Sequence, residues 1–387
     1  MYYEHRRRKE LIPSRAELSA KGEASTTAII KEKKYRGGLV VEPIPGVHFN
    51  VVVVDFASLY PSIIKVHNLS YETINCPHES CRKDPKQKVE GTSHWICKER
   101  HGLTSLLIGS LRDLRVSYYK HLSKDKTIPI EERQLYNVVS QAIKVILNAS
   151  YGVMGAEIFP LYCLPVAEAT AALGRDTTIQ TINKCKEIGI QVIYGDTDSL
   201  FLKNPSSAGV EEISAWAKNK LGVDLETDKE YRYAAFSELK KNYIGVLKDG
   251  TVDVKGLTGK KSHTPPFIRK AFNETLDILS NVESENDFVA AKEKIKEIIR
   301  GSARKLKARE IALADLTFNV MIGKAPKDYG KKIGTSGKLD EKSAKVPQHR
   351  LLPQHIKAVM LLPNWESIKS GHIISFVKTK GSIGVQP

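Results

Sequence analysis

The most distinctive hydrophobic pattern in the chain is a pair of apolar runs joined by a short acidic turn, between Gly189 and Leu202. The turn reads Tyr-Gly-Asp-Thr-Asp-Ser from Tyr194, and the pattern predicts a β-hairpin with two carboxylates at its tip. Asp196 and Asp198 repel each other unless a cation neutralises them, and a hard divalent ion such as Mg²⁺ suits such a pair. A lone Asp-Thr-Asp is more often an ordinary turn.

A second apolar run also ends in an acid. Residues 49–54 predict a buried strand that leads directly into Asp55, and Pro61 suits the first turn of a following helix. Such a junction places a carboxylate beside the free amides of a helix start, which combines a cation ligand with an anion cradle. An aspartate that simply caps the helix is the alternative.

Two amphipathic helices are predicted next, over residues 103–122 and 131–150. The first would bury its leucines and turn its basic residues to other faces; these are Leu107, Leu111 and Leu114, and Arg112, Arg115 and Lys120. The second would bury Leu135, Val138, Val139, Ala142, Val145 and Ile146. Lys144, Asn148 and Tyr151 recur at helical spacing on one stripe, which suits a phosphate, a base edge and a sugar but also an ordinary solvated face.

Toward the C-terminus the pattern predicts a hairpin over residues 243–257, with Asp249 and Gly250 in its turn, and a strand over residues 372–378. A helical region is predicted from about Pro266 to Met321. Residues 1–34 are highly charged and poor in large apolar side chains, which indicates the end of a preceding region or a solvated linker.

The basic composition of the chain indicates what kind of partner it binds. The net charge is +16 over 387 residues, with a pI of about 9.4. Such an excess favours nucleic acid as a partner, although Lys-rich surfaces also occur in thermophilic proteins that bind none. No apolar run reaches the roughly 18 residues that span a bilayer. We therefore expect a soluble, cytoplasmic protein with no membrane contact.

The cysteines form a separate group. Cys76, Cys81, Cys97 and His101 could supply four zinc ligands, although the first spacing is looser than a paired C-x2-C. A disulfide between two of the three cysteines and three unpaired thiols are the alternatives. Cys163 and Cys185 lie in apolar surroundings and are predicted to be buried core thiols.

Three motifs that occur in a fixed order connect the acidic turn, the strand before Asp55 and the stripe on the second helix. They are Asp-Phe-Ala-Ser-Leu-Tyr-Pro-Ser-Ile-Ile at 55–64, Lys-Val-Ile-Leu-Asn-Ala-Ser-Tyr-Gly at 144–152 and Tyr-Gly-Asp-Thr-Asp-Ser at 194–199. They closely resemble the polymerase motifs of family B DNA polymerases. Tyr-Arg-Gly-Gly at 35–38 resembles the family's template-contacting motif, and Lys-Lys-Asn-Tyr at 240–243 its primer-gripping motif. The resemblance covers roughly residues 35–380 and is archaeal, specifically crenarchaeal, in character.

The resemblance implies an α+β fold with the right-hand architecture of polymerases, in which an antiparallel sheet forms the palm. Residues 37–101 and 156–257 would form the palm, with a Cys/His insertion at 75–101. Residues 102–155 would form helical fingers and residues 258–387 a mainly helical, incomplete thumb. Residues 1–36 would be a charged remnant of a preceding region.

The resemblance also implies a two-metal reaction. Asp55 and Asp198 match the carboxylates that hold two Mg²⁺ ions, for which Mn²⁺ can substitute, and the carbonyl of Phe56 would be a further ligand. Asp196 matches a neighbouring acid with a less direct role, so we expect it to tolerate substitution better than Asp198.

Nucleotide recognition follows from the same match. The amides of Ser58 and Leu59 would cradle the phosphates of a dNTP, and Tyr60 would be the steric gate that excludes a 2′-hydroxyl. Arg115 and Lys144 would grip the triphosphate, Asn148 would support them and Tyr151 would lie beside the nascent base pair. One position departs from the family: a basic residue usually follows the fingers arginine by four, but here that residue is Tyr119. Lys120 is adjacent and could substitute only with a changed helical angle.

The resemblance also implies a set of residues that contact the primer and the template. They are Tyr35, Gly37, Gly38, Lys240, Lys241, Tyr243, Lys255, Lys260 and Lys261. The lysines would contact phosphates without reading sequence, and Lys240, Lys241 and Tyr243 would lie on the strand that enters the second hairpin.

Partners and activity follow from what the resemblance covers. We expect primer-template DNA and dNTPs as substrates, and as partners the missing N-terminal and exonuclease portion and accessory replication factors. Only 54 residues precede Asp55, so we expect no 3′-5′ exonuclease activity. Association with the nucleoid would follow from DNA binding. The alternative function is a catalytically weak DNA-binding fragment or subunit of a larger or split polymerase.

Overall fold

A computed structural model describes residues 2–25, 36–329, 352–380 and 384–387. The chain divides into two compact units, Met1–Lys241 and Asn242–Pro387, and each is described by itself. The helices of the first unit are α1 (Tyr2–Arg8), α2 (Arg15–Ser19), α3 (Leu59–Val66), α4 (Glu79–Lys83), α5 (Leu103–Asp113), α6 (Lys120–Leu122), α7 (Ile130–Met154), α8 (Leu164–Glu187) and α9 (Ser207–Trp216). Its strands are β1 (Val40–Val41), β2 (Gly46–Phe56), β3 (Gln191–Asp196), β4 (Ser199–Lys203) and β5 (Leu225–Phe236).

The strands of the first unit form an antiparallel sheet in the spatial order β1-β3-β4-β2-β5. The predicted strand before Asp55 is the end of β2, and the predicted acidic hairpin is β3–β4. Val51 and Val54 of β2 are fully buried because β2 has neighbours on both edges and packed side chains on its faces. The two acidic elements foreseen in the sequence are therefore neighbours in one sheet.

Helices α3, α5, α7 and α8 supply the remainder of the first unit's core. Ile63 and Ile64 of α3 and Leu147 of α7 are almost completely buried. Helix α8 is buried along most of its N-terminal half, where small residues such as Ala167 and Ala171 allow close packing on several sides. The sequence pattern did not predict α8, because a helix that is buried on most sides has no polar stripe.

The predicted burial of the two amphipathic helices was wrong in part. In α7 the buried stripe is Ser140, Ile143, Leu147, Ser150 and Met154, whereas Leu135, Val138, Val145 and Ile146 are exposed. In α5 and the turn that follows it, Arg112 and Arg115 are buried and Leu114 is exposed. Both segments carry apolar residues on several faces, so periodicity alone does not specify which stripe is buried.

The segment after α5 is a π-helical turn, Leu114–Tyr119, which leads into α6. Its wider winding closes with the amide of Lys120 donating to the carbonyl of Arg115, five residues earlier. A π turn changes the angular relation of all residues beyond it. Lys120 therefore takes the place on the helix that an α-helix would give to Tyr119.

The second unit contains a hairpin, two long helices and a small sheet. Its elements are β6 (Tyr243–Leu247), β7 (Val252–Lys255), α10 (Pro266–Ser280), α11 (Glu285–Lys307), β8 (Phe318–Met321), α12 (Gln354–Val359), β9 (Ile373–Lys378) and β10 (Val385–Gln386). The predicted hairpin is confirmed, with Tyr243 opposite Lys255. The predicted helical region instead ends in strand β8, which joins β9 and β10 in the order β10-β9-β8. Residues Ile322, Ile356 and Val359 form a core of their own there.

The N-terminal residues 2–25 are not a solvated linker. They contain α1 and α2, and Leu18 of α2 is 2% exposed and belongs to the core of the first unit. His5 of α1 is buried and shares a short hydrogen bond with the hydroxyl of Tyr71. A few large side chains are thus enough to pack a highly charged segment against its neighbours.

Among the residues that the structure describes, none of the helices has both the length and the apolar character needed to cross a membrane.

Candidate active site

Three acids, Asp55, Asp196 and Asp198, lie at one end of the first unit's sheet, where β2 ends and β3 turns into β4. This end of the strands is called the acidic edge below. Asp55 is the register partner of Ser199, and the amide of Phe56 donates to the carbonyl of Asp198 at 2.8 Å. The hairpin turn is tight because Thr197 adopts a left-handed conformation, with φ of 61°. Backbone pairing therefore brings together acids that lie far apart in the sequence.

Close packing behind the turn depends on a glycine. A Cβ at Gly195 would lie 2.9 Å from Leu200 Cδ2 and 3.0 Å from Val41 Cγ2. Larger residues would push β1 away from the hairpin, so the short motif is constrained by packing as well as by chemistry.

The electrostatics of the edge are those of crowded carboxylates. Burial, and after it the charges of Asp198 and Asp228, raises the pKa of Asp55 to about 7. Burial likewise raises the pKa of Asp198, while Lys144 opposes the shift in both groups. A bound cation would reverse this preference for the protonated forms. The donor set therefore fits a hard divalent metal.

Two further acids of this edge were missed in the sequence. Glu226 is the register partner of Asp55 on β5. Asp228 lies at the irregularity of register between Val53 and Val54, and its charge acts on Asp55. Acids at alternate positions near a strand start are a signal that could have found them, although the bulge could not be foreseen.

Asp196 has a different environment from Asp198. Its Oδ1 lies 3.1 Å from the Nζ of Lys241, whose own amide donates to the hydroxyl of Tyr194 at 3.1 Å. Asp196 therefore already has a cationic partner from the protein. The less direct role expected for Asp196 stays a prediction.

The predicted DNA-contacting lysines lie in turns and strand ends. Lys240 and Lys241 precede β6 in a turn, so their predicted position on a strand was wrong; Lys241 has a left-handed φ of 63°, which breaks the strand. Lys240 Nζ lies 2.7 Å from Glu42 and donates to the carbonyl of Val40 at 3.1 Å.

In the second unit, the four remaining predicted contacts follow one another along the chain. Tyr243 begins β6 and is buried, and Lys255 ends β7. Lys260 closes a 3₁₀ turn, its Nζ donating to the carbonyl of Val254 at 3.1 Å, and Lys261 comes directly after it.

The strand-to-helix junction after Asp55 has an unusual backbone. Ser58 adopts a left-handed conformation, with φ of 59°, and starts α3 at Leu59 without a side-chain cap. The first amides of a helix have no intrahelical acceptor. Arg115 reaches this junction, donating from Nη1 to Ser58 Oγ at 3.0 Å.

Arg115 itself carries an unsatisfied donor. Its Nε is buried and has no hydrogen-bond partner among the described residues. Burial lowers the pKa of this guanidinium, which reports the cost of holding the charge there. A buried guanidinium with a free donor beside helix amides is suited to an anionic ligand.

Tyr60 is held between an aromatic ring and two glycines. Its ring centroid lies 4.4 Å from that of Tyr151. A Cβ at Gly174 of α8 would lie 2.9 Å from Tyr60 Cε1, and a Cβ at Gly38 would lie 2.9 Å from its hydroxyl oxygen. The position of the ring is therefore set by the absence of side chains at these glycines.

The predicted stripe on α7 is confirmed as a helical face. Lys144 and Asn148 are exposed and Tyr151 is half-buried. Lys144 is close enough to influence both Asp55 and Asp198. Asn148 and Tyr151 lie on the same side of α7 as Lys144.

Lys120 also reaches the site. It forms an ion pair with Glu226, and its charge lowers the pKa of Asp55. The π turn that precedes it puts it on the same side as Arg115. A basic residue that the sequence lacks at Tyr119 is thus present at the next position, paired with Glu226 of the same edge.

The glycine motif near the N-terminus is positioned by an arginine that the sequence did not indicate. Tyr35 lies outside the described residues. Nη1 of Arg175 on α8 donates to the carbonyls of Arg36 and Gly37, at 2.7 and 2.8 Å. Gly38 packs against Thr197 of the acidic turn, where a Cβ would lie 2.7 Å from Cγ2. The motif therefore contacts the acidic hairpin directly.

The cysteine cluster is confirmed with one correction. Among the described residues, Cys76, Cys81 and Cys97 come together with His78 and not with His101. The residues that follow Cys97 are not helical, so His101 does not turn back toward the cysteines. His101 instead lines a cavity with Tyr71 and Arg100. All five cysteines are free thiols, so the structure contains no disulfide between them. Cys163 and Cys185 are buried core thiols, as predicted.

Comparison with known proteins gives consistent matches. The sequence model of DNA polymerase family B matches residues 4–348. "DNA polymerase 1" of Sulfurisphaera ohwakuensis is 44% identical over 391 residues, covering 100% of this chain and 42% of that protein. "DNA polymerase 1" of Saccharolobus solfataricus is 43% identical over 390 residues, with coverage of 100% and 42%.

A solved structure matches as well. The family B DNA polymerase from the hyperthermophilic archaeon Pyrobaculum calidifontis has a TM-score of 0.63 and 28% identity, covering 94% of this chain and 44% of that chain. This chain spans less than half the length of each of these relatives.

The raised pKa of Asp55 predicts how stability depends on pH in chelator-treated protein. Between the unfolded value of about 4 and the folded value of about 7, the folded chain binds more protons than the unfolded chain. The contribution of Asp55 to stability is thus lost as pH rises through this window. We expect Asp55→Asn to flatten the fall of the melting temperature between these pH values, and excess Mg²⁺ to restore stability above pH 7 in the unmodified chain.

Thermal unfolding measured across this pH range in EDTA checks the prediction. Asp315→Asn, at an exposed aspartate, is the matched control and should keep the original slope. An unchanged slope in Asp55→Asn would contradict the assigned cause.

Proposed function

The chain belongs to DNA polymerase family B, and from this premise we propose that it catalyses the templated addition of deoxynucleotides to the 3′ end of a primer. The observation that carries the proposal is the meeting of Asp55 and Asp198 at one sheet edge, within reach of Lys144. Arg115, with its unpartnered donor, lies at the adjoining strand-to-helix junction. A carboxylate pair beside an anion cradle suits a reaction of a metal-bound triphosphate.

The right-hand architecture is part of the proposal. Residues 37–101 and 156–257 would form the palm, 102–155 the fingers and 258–387 the thumb. The acidic sheet edge is built from β2 and from β3–β5, which lie on either side of the helical stretch α5–α7 in the sequence. Strands β6 and β7 group with the second compact unit, whose boundary falls after Lys241.

Asp55, Asp198 and the carbonyl of Phe56 would hold two Mg²⁺ ions, or Mn²⁺ in their place. When bound, the ions would stabilise the attacking 3′-oxygen and the departing pyrophosphate. The chain's own contribution is to keep the carboxylates in place through the pairing of β2 with β4. Asp196 would act indirectly, since Lys241 already neutralises it.

The triphosphate would lie across the junction between β2 and α3. Arg115 and Lys144 supply charge, the amides of Ser58 and Leu59 supply donors, and Asn148 extends the same face. The buried, unsatisfied Nε of Arg115 supports this role, because a phosphate oxygen would satisfy it. Arginine is suited to such contacts by its fixed fork of donors.

Tyr60 would discriminate between sugars. Its ring is fixed by Gly174 and Gly38 and lies against Tyr151, which would stand beside the nascent base pair. A ring that cannot retreat leaves no space for a 2′-hydroxyl. Deoxynucleotides would be selected over ribonucleotides for this reason.

The DNA partners would be a primer and a template. The template strand would meet Tyr35, Gly37 and Gly38, whose loop is positioned by Arg175. Primer phosphates would meet the basic residues Lys240, Lys241, Lys255, Lys260 and Lys261, together with Tyr243. Accessory replication factors, an exonuclease-bearing portion, association with the nucleoid and the lack of exonuclease activity in this chain stay predictions.

Primer extension with Mg²⁺ tests the proposed reaction. Asp198→Ala should lower the rate by about 10³-fold or more, since it removes several kcal/mol of charge stabilisation. Asp196→Asn should retain far more activity, because the carboxylate is paired with Lys241. Equal losses in the two variants would contradict the assigned roles. No extension by the unmodified chain, with primer-template binding intact, would instead support the alternative of a catalytically weak DNA-binding fragment.

Ribonucleotide incorporation tests the gate. Tyr60→Val should raise incorporation of ribonucleotides relative to deoxynucleotides. Gly174→Ala should displace the ring, because its Cβ would lie 2.9 Å from Tyr60 Cε1, and should therefore change discrimination without touching the nucleotide. Gly301→Ala, where a Cβ meets nothing within 4 Å, is the matched control and should leave it unchanged. Unaltered discrimination in Tyr60→Val would remove Tyr60 from this role.

The π turn makes Lys120 the second cation of the triphosphate grip. Lys120→Ala should raise the KM for dNTP by about 10- to 100-fold, the range expected for loss of a charged hydrogen bond. Lys124→Ala, at an exposed lysine beyond α6, should have little effect. Steady-state kinetics measure both, and equal KM values for Lys120→Ala and the unmodified chain would show that the π turn does not supply this contact.

A further inference from the structure

The segment between α3 and α5 contains a compact set of four potential metal ligands. The ligand atoms of Cys76, His78, Cys81 and Cys97 all lie within 4.8 Å of one another. The three cysteines are buried and His78 is half-buried. Three sulfurs and one imidazole are a donor set typical of structural zinc.

The separations between these atoms suit a tetrahedral ion. Nδ1 of His78 lies 3.3 Å from the sulfur of Cys97 and 4.0 Å from that of Cys81. In a tetrahedral site with ordinary zinc bond lengths, sulfur and nitrogen ligands lie about 3.5 Å apart. A disulfide would bring two sulfurs to about 2 Å and leave the histidine without a role.

Backbone amides contact two of the three sulfurs of the cluster. The amide of His78 donates to the sulfur of Cys76, and the amide of Lys98 donates to that of Cys81. Trp95 Nε1 donates to the carbonyl of Cys76 at 3.0 Å, which ties the two arms of the segment together.

His78 is also oriented from its far side. Its Nε2 lies 3.6 Å from Oε2 of Glu99, and Ser80 donates to the other oxygen of that carboxylate at 2.5 Å. A carboxylate near the second nitrogen favours the tautomer that presents Nδ1 to a metal. Two independent features, the ligand cage and this outer contact, therefore select the same histidine.

We propose that Cys76, His78, Cys81 and Cys97 bind one structural Zn²⁺ ion, with Glu99 orienting the histidine. The inference is independent of the polymerase reaction. The ion closes the long connection between the helix that carries Tyr60 and the helical segment that carries Arg115.

The connection is joined to both helices near the cluster. Asn68, just after α3, donates to the carbonyls of Cys97 and Arg100 at 3.2 and 2.8 Å, and its Oδ1 accepts from the amide of Gly102 at 2.8 Å. Gly102 immediately precedes α5. Loss of the ion should therefore loosen the start of α5 and lower thermal stability.

Metal analysis of the full chain, purified without chelators, tests the proposal. Elemental analysis should find one zinc per chain, and X-ray absorption at the zinc edge should show three sulfurs and one nitrogen. His78→Ala should lose this ion, whereas His101→Gln should keep it. Glu99→Gln should weaken zinc affinity by about 10- to 100-fold, measured by competition with a chromogenic chelator.

Several results would overturn the proposal. Protein that contains no zinc would refute the proposed site. This holds if its thiols are free, and equally if its mass is lower by two hydrogens, which would show a disulfide. If folded His78→Ala retains zinc, or if His101→Gln loses it, His78 is not the histidine ligand. The absorption spectrum of the unmodified protein decides the ligand set even if a variant fails to fold.

Discussion

Repulsion between carboxylates at one edge of the first unit's sheet is the constraint on which the rest of the site depends. Asp55 lies opposite Glu226 in the sheet and close to Asp198 and Asp228, in a partly buried setting that raises its pKa to about 7. Like charges opposite each other weaken a strand pair. The fold tolerates them because lysines from other elements surround the edge: Lys120 pairs with Glu226, Lys241 pairs with Asp196, and Lys144 acts on Asp55 and Asp198. The remaining negative charge is what a divalent cation would neutralise.

The local parts of this arrangement could be predicted from the sequence, and the long-range parts could not. The hairpin of Asp196 and Asp198 follows from two apolar runs joined by a short turn, and the strand before Asp55 from its valines. Their adjacency came only from the resemblance to a family, since no local pattern specifies which strands pair. Asp228 was missed because a register irregularity sets its position, and α8 was missed because burial on several sides removes the periodicity that marks a helix.

Two other differences arise where residue counting assumes a regular helix. A single π turn gives Lys120 the helical position that α-helical spacing assigns to Tyr119, a shift that residue counting cannot detect. The cysteine cluster shows the same weakness of counting. His101 follows Cys97 at a familiar spacing, but the intervening chain is not helical, and His78 lies closer because the segments around Cys76 and Trp95 run side by side. The spacing of His101 from Cys97 therefore indicated the wrong histidine.

The packing of α3 against α5 connects these features. Lys65 pairs with Asp113 at 2.6 Å, and Nε of Arg112 donates to Ser62 Oγ at 3.1 Å. Gly109 permits this approach, because a Cβ there would lie 2.8 Å from Lys65 Cγ. Arg112 was expected on a polar face, yet it is buried because it joins the two helices from within. The distance between Ser58 and Arg115 is therefore set by contacts along the helices that bear them, and a change at Gly109 would alter the anion cradle without removing any of its donors.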